Sequence, residues 1–290
     1  MKVALYSNRF NQSWLPFLVN LVEVLLDKKF EIVVCSKLFE EARVEKISSL
    51  NVVLEEDLVN YNPDALLSIG GDGTLLSSIQ YVIGTKIPIM GINTGRLGFL
   101  ASVSKEEIEN SIELLKQQKF VYDKRTLLQI ESPKELFGKV DFALNELTIH
   151  KNEIASMITI HAYIDGQYLN SYWADGLIIS TPTGSTAYSL SCGGPIVLAD
   201  TDTFIVTPIA PHNLNVRPMV ISDRKKITLK IEGRSHKCLV SLDSHSNYID
   251  ADTELTISKS PHTINLIKLE GNTFFDTIRN KLLWGIDRRN

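Results

Sequence analysis

Cysteine is scarce. Cys35, Cys192 and Cys238 are the only three in 290 residues, an odd number with no CxxC pair and no histidine at zinc spacing, which excludes a disulfide scaffold and a structural zinc module. Charge of one sign is also missing. Lys+Arg 30 against Asp+Glu 34 leaves a formal net charge of −4, so the basic surface of a dedicated nucleic-acid binder or a polybasic membrane protein is not there. Long apolar runs are lacking too: the N-terminus reaches Asn8 and Arg9 before a signal-peptide core forms, and the next apolar stretch is broken by Asn20 and Glu23. Repeats, low-complexity tracts and Pro/Ser linkers do not occur. What is present is ordinary for a globular protein, 44% hydrophobic and 22% charged residues, in a chain with room for two domains at about 150 residues each. The expectation is a reduced, cytoplasmic protein acting on small molecules, with neither nucleic acid nor membrane as partner.

Residues 2–6 read as a buried strand, and Leu15, Leu18, Leu21, Val22, Leu25 and Leu26 then follow at helical spacing. Residues 30–35, 65–69 and 87–92 are further short apolar runs. Helical stretches are expected at residues 37–50, 75–82 and 105–118, the last opened by a capping box, Ser104 with Glu107. Strands alternating with helices imply a parallel α/β sheet. Beyond residue 120 the period changes. Residues 121–131, 139–150, 157–164, 167–173, 177–180, 226–231, 238–242, 254–259 and 263–268 are strand-like, and Asp165-Gly166 is a hairpin signal. The expected organisation is an α/β domain over residues 1–119 and a mostly β domain over residues 120–269.

The most informative string is Gly70-Gly71-Asp72-Gly73-Thr74, which follows an apolar strand and precedes a helical stretch. Glycines Gly70, Gly71 and Gly73, with Thr74, let backbone N–H groups approach anionic oxygens at a helix N-terminus. An acidic residue in such a loop repels phosphate, so Asp72 asks for another role: general base, metal contact or hydroxyl orienter. The plainer reading is a glycine turn with Asp72 as helix cap. A second loop, Gly91-Ile92-Asn93-Thr94-Gly95-Arg96-Leu97-Gly98-Phe99, again follows an apolar strand and brings Arg96, either a phosphate contact or a solvated loop arginine. Both loops then share the carboxyl edge of the sheet, where ligands of such sheets bind. In the β half, Asn145-Glu146 interrupts an apolar strand, where a buried carboxylate costs several kcal/mol unless a ligand or protein group satisfies it; a solvent-facing edge pair is the alternative. A run of hydroxyls and glycines from Asp175 to Pro195 contains Thr186, Ala187, Tyr188, Ser189, Leu190 and Ser191. It can read a ribose or base edge, with Tyr188 as a stacking face, or form a Ser/Thr turn and a capped helix.

Taken together these strings resemble the NAD kinases, within the larger group of diacylglycerol-kinase-like and phosphofructokinase-like enzymes that share a GGDG loop. The matching blocks occur in the family's order: residues 70–74, 91–100, 145–146, 175–195 and 208–218, with residues 275–285 similar to the family's C-terminal arm. The resemblance implies an α/β N-terminal domain with a parallel sheet, a mostly β C-terminal domain with the active site between them, an arm over residues 270–290 returning to the first domain, and a homo-oligomer, dimer or tetramer. It implies transfer of the γ-phosphoryl group of ATP, with Mg²⁺ or another divalent metal, to the 2′-hydroxyl of the adenosine ribose of NAD, giving NADP. By position, Asp72 would accept the hydroxyl proton beside Gly73. Asn145 and Glu146 would hold NAD, Asp175 would sit at its nicotinamide-side end, residues 186–191 would line the pocket, and Ala210 would form a wall. Trp173 and His245 depart from relatives that carry a basic residue and a glutamine there, and no residue is assigned to a metal.

Two rival functions share parts of this pattern. A lipid kinase of the diacylglycerol type has the GGDGT loop, but in such enzymes an Asn-Glu pair follows the loop almost immediately, whereas here Leu75-Leu76-Ser77 follows. A nucleotide-binding sensor would keep the pocket and transfer nothing.

Overall fold

The computed structural model describes residues 1–42, 47, 49–95, 98–152, 157–233, 237–271 and 273–284. Along the chain the elements are β1 (Lys2–Tyr6), α1 (Leu15–Asp27), β2 (Glu31–Cys35), α2 (Ser36–Ala42), β3 (Asn51–Val53), α3 (Leu58–Tyr61), β4 (Ala65–Gly70), α4 (Asp72–Ser78), β5 (Ile89–Asn93), α5 (Ile108–Lys116) and β6 (Phe120–Ser132). There follow β7 (Phe142–Ala143), β8 (Glu146–Lys151), β9 (Ile158–Ile164), β10 (Gln167–Ala174), β11 (Gly176–Ser180), α6 (Tyr188–Ser191), β12 (Thr203–Ile209), β13 (Met219–Ser222), β14 (Ile227–Gly233), β15 (Lys237–Leu242), β16 (His245–Asp250), β17 (Glu254–Leu269) and α7 (Phe274–Leu282). The chain forms two units: Met1–Lys124 together with the chain from Ile264 onward, and Arg125–Thr263.

The first unit is a parallel sheet with helices. Its strand order is β17–β5–β4–β1–β2–β3, every pair parallel. Parallel strands are covered on both faces and so consist of continuous apolar runs; β1 and β4 are almost wholly buried. Leu18, Leu21, Val22 and Leu25 of α1 and Ile108, Ile112 and Leu115 of α5 form one apolar cluster with Val3, Leu5, Val34, Leu67 and Ile92. Leu26, which the periodicity also placed on the apolar face, is 44% exposed.

The second unit is mostly β. One sheet runs β13–β12–β11–β8–β15–β16 with all neighbours antiparallel. A second antiparallel group, β10–β9–β14–β17, contributes Ile158, Ile160, Leu229 and Ile257 to an apolar cluster that also takes Leu147, Ile149, Leu177, Ile179 and Phe204 from the first. These residues recur at every second position, the strand period. Asp165 and Gly166 make the β9–β10 turn with φ of +49° and +79°, as a two-residue hairpin with right-handed strand twist demands.

Several boundaries move. Helix α5 begins at Ile108, because Ser104 bonds the Glu107 side chain but does not cap the helix. The expected helix over 75–82 starts three residues earlier, at Asp72, and closes as a 3₁₀ turn over Ile79–Tyr81. The helix expected over 37–50 is described as Ser36–Ala42, its continuation lying mainly outside the described residues. The runs 254–259 and 263–268 are one strand, β17, which continues through Pro261. Strands β3, β12, β13 and β16 carried no clear signal.

Candidate active site

In the first unit the two glycine loops are adjacent because Gly70, the last residue of β4, pairs in register with Asn93, the last of β5. Gly70 takes φ of +154°, and a Cβ there would stand 2.3 Å from Thr74 Oγ1, so only glycine fits. Thr74 Oγ1 donates to Asn8 Oδ1 at 2.9 Å, tying the loop to the chain after β1. Gly71 and Gly73 face open space, and Asp72 is the first residue of α4.

The Asp72 carboxylate is held by the second loop. Oδ2 accepts the N–H of Phe99 at 2.8 Å; Oδ1 accepts those of Leu100 and Ala101 at 3.1 and 2.9 Å. Gly98 makes this possible, because a Cβ at that position would lie 1.8 Å from Asp72 Oδ1. Lys281 of α7 places its ammonium over the Phe99 ring, 5.6 Å from the centroid. Arg96 lies outside the described residues.

In the second unit Asn145 does not lie within a strand; it sits in the break between β7 and β8, and Glu146 opens β8. Strand β8 runs between β11 and β15, which removes the edge-strand alternative. The segment is gripped from both sides. Thr181 N–H donates to Asn145 O at 2.9 Å, Thr181 Oγ1 donates to Leu144 O at 2.5 Å, and Gly184 lies so close that a Cβ would be 2.2 Å from Asn145 O. Opposite, the Asp243 carboxylate accepts three consecutive N–H groups, from Leu144, Asn145 and Glu146, at 2.7, 2.9 and 3.0 Å.

Glu146 Oε2 is buried without a hydrogen-bond partner. Burial and the neighbouring Asp243 charge push the Glu146 carboxyl up to about 8, against the opposing effect of the Tyr188 N–H. Asp243 itself is raised to about 6 by burial, which outweighs its three N–H donors and the nearby His245. Tyr188 is 39% exposed at the start of α6, and burial, then the charges of Cys192, Asp175 and Glu146, raise its phenol. Asp175 pairs with Lys151 at 2.6 Å, and its N–H donates to Ile209 O beside Ala210, whose φ is +44°.

The hydroxyl run divides. Thr181, Thr183, Ser185 and Ser189 are buried; Ser185 bonds the Val197 backbone, and Ser189 shares a hydrogen bond of 2.8 Å with Thr207. Thr186, Ala187 and Leu190 are half-buried, and Ser191 is exposed. His245 pairs with Leu242 across the two-residue turn Asp243-Ser244, close enough for its charge to act on Asp243. Sequence reasoning passed over Asp243, Gly98, Asn8 and Lys151. A lone Asp-Ser turn between strands is too common to mark Asp243, and Gly98 was one glycine among several.

Parallel strands ending in two glycine loops, with a carboxylate held at one of them, define a nucleotide-handling α/β protein. Two family models match the chain: the ATP-NAD kinase N-terminal domain over residues 3–120 and the ATP-NAD kinase C-terminal domain over residues 144–269. The chain is 44% identical over 297 residues to the NAD kinase of Cytophaga hutchinsonii and 46% identical over 296 residues to that of Flavobacterium psychrophilum, with 100% of both chains covered in each case. Among solved structures, an NAD kinase from Archaeoglobus fulgidus in complex with ATP superposes with a TM-score of 0.76 at 27% identity, covering 98% of this chain and 99% of that one. Yeast NADH kinase complexed with NADH shares the fold, with a TM-score of 0.87 at 23% identity and coverage of 99% and 88%. The chain belongs to the NAD kinase family.

Proposed function

We propose that this chain transfers the γ-phosphoryl group of ATP to the 2′-hydroxyl of the adenosine ribose of NAD, releasing NADP and ADP. The bond from γ-phosphorus to the β–γ bridging oxygen breaks, a bond from the 2′-oxygen to phosphorus forms, and the hydroxyl proton passes to Asp72. The observation that carries this reading is the Asp72 clasp. Two N–H groups occupy Oδ1 and one occupies Oδ2. A carboxylate has about four acceptor positions, so Oδ2 is the oxygen with room for a hydroxyl. A ribose hydroxyl attacks poorly while protonated, and an oriented carboxylate beside it contributes roughly 10²–10⁴ in rate.

Asn145, Glu146 and Tyr188 are assigned to NAD, with Asp175 and Ala210 at its far end and the half-buried Thr186, Ala187 and Leu190 along it. Ser189, turned onto Thr207, acts by shaping α6. Gly70, Gly71, Gly73 and Thr74 form the phosphate loop. The divalent ion enters as part of the substrate MgATP, held by hard phosphate oxygens; among the described residues no three His, Cys, Asp or Glu side chains converge as a cage. We assign the protein to the cytoplasm, a reading supported by its three free cysteines. Among the described residues no helix is long and apolar enough to cross a membrane. A homo-oligomer, dimer or tetramer, is supported by β13, an edge strand that exposes Met219 and Val220.

The test reads NADP formation from NAD and MgATP through a strictly NADP-dependent dehydrogenase. Asp72→Asn is expected to lose roughly 10²–10⁴ in kcat while NAD still binds by calorimetry. Near-normal turnover of that variant would refute the assignment of Asp72. NAD binding by the wild type without ADP formation would favour the sensor.

A further inference from the structure

We propose that Asp243 is a positioning residue for the acceptor substrate: it seats Asn145 and Glu146 by accepting their backbone N–H groups. This rests on the reading above that Asn145 and Glu146 meet NAD. Three consecutive N–H groups pointing at one carboxylate form an anion-binding concavity, and here the anion belongs to the protein. The bonds are reciprocal, since Asp243 N–H donates back to Glu146 O at 3.1 Å. Asp243 reaches this position because it stands at φ +48° in the two-residue turn between β15 and β16, where Leu242 pairs with His245. That turn is short and anchored by two paired strands, so it is a rigid support for a segment that lies in a strand break.

The geometry has an electrostatic consequence. Glu146 belongs to the same segment that Asp243 clasps, its Oε2 is buried without a partner, and a negative charge there would be repelled by that of Asp243. The titratable and charged groups around the pair are Asp243 and His245 from the β15–β16 turn, Tyr188 and Cys192 from α6 and the residue after it, and Asp175 from the β10–β11 corner. Among the described residues the groups named as acting on Glu146 include no cation, and burial and Asp243 both hold its carboxyl well above the ordinary range, at about 8. A protonated Glu146 offers a ligand one O–H donor and one acceptor, whereas the ionised form offers acceptors only. Ionisation also sets a negative charge against a dinucleotide that carries a pyrophosphate. KM for NAD should therefore rise as Glu146 loses its proton.

The experiment measures kcat and KM for NAD with the full chain across neutral and alkaline pH, for the wild type and for Asp243→Asn, Glu146→Gln and Asn145→Ala. Asp243→Asn keeps the shape and one acceptor oxygen but removes the charge. It is expected to raise KM for NAD by about tenfold, on the scale of one lost hydrogen bond to a charged group, and to lower kcat less. The pH at which KM rises should move down by roughly one unit, because the like charge is gone. In Glu146→Gln that rise should be abolished. A folded Asp243→Asn with wild-type KM and an unmoved pH profile, while Asn145→Ala raises KM, overturns the proposal and leaves the NAD assignment standing. Wild-type KM in Asn145→Ala, together with no alkaline rise of KM in the wild type, overturns the NAD assignment itself. Should Asp243→Asn fail to fold, amide NMR of the wild type decides: the N–H signals of residues 144–146 must shift together as Asp243 titrates, and independent or absent shifts overturn the proposal.

Discussion

Gly98 is required for lack of space, not for an unusual backbone. The missing Cβ is what allows Asp72 Oδ1 within reach of the Leu100 and Ala101 N–H groups. Gly98→Ala must push the carboxylate aside, and a displacement of about 1 Å at a reacting group costs about 10²-fold in rate. The expected outcome is a kcat loss of that order with a melting temperature close to wild type; an unchanged kcat would show that the clasp does not orient Asp72. Glu146 and Asp243 make a second prediction at this scale. Their folded values, about 8 and about 6, lie above the ordinary 4.5 and 3.8. Inside those windows the native state holds protons that the unfolded chain has released, so stability is full below them and falls as pH rises toward about 8. Thermal melts at acid, neutral and mildly alkaline pH should show this decline, and Glu146→Gln should flatten it.

Among the elements, β8 is the one on which the second unit's site depends. Its pairing to β11 and β15 is ordinary, but the break before it is shaped by contacts from residues far along the chain, Thr181, Gly184 and Asp243. Gly184→Ala would set a methyl 2.2 Å from Asn145 O and 2.7 Å from Ser180 Oγ. Overpacking of this kind costs roughly 1–3 kcal/mol. The expected result is a lower melting temperature together with a raised KM for NAD, because the displaced atom belongs to the segment we assign to NAD. A variant that loses stability but keeps KM would show that the segment tolerates movement. Helix α4 illustrates the same dependence in the first unit: its seven residues are too few to persist alone, and it is held by Leu75 in the core and by Thr74 on Asn8.

At the scale of the whole molecule, the described residues form two apolar clusters, one in each unit. Each should respond to its own defects. Asp223 is fully buried and meets Lys259 of β17 at 2.5 Å, so Lys259→Met would strand a buried carboxylate. Breaking such a pair costs about 3 kcal/mol or more. Hydrogen exchange should show protection lost across β12, β14 and the first half of β17, with β1 and β4 unchanged; uniform loss in both units would contradict separate cores.

How much was legible in advance follows from range. Helix and strand periods, the glycine loops at strand ends, the hairpin at Asp165-Gly166 and the candidate role of Asp72 all depend on residues within a few positions of one another, so the amino-acid order by itself determined them. The strand break at Asn145, the inward turn of Ser189, the need for Gly98 and the role of Asp243 were decided only by tertiary structure. Each arises where two segments approach from opposite parts of the chain, Asp72 with residues 98–101 and Asp243 with residues 144–146. A carboxylate becomes a clasp only when three backbone N–H groups are brought to it, and those groups are present in every sequence. Position in space, not residue type, selects which of them serve.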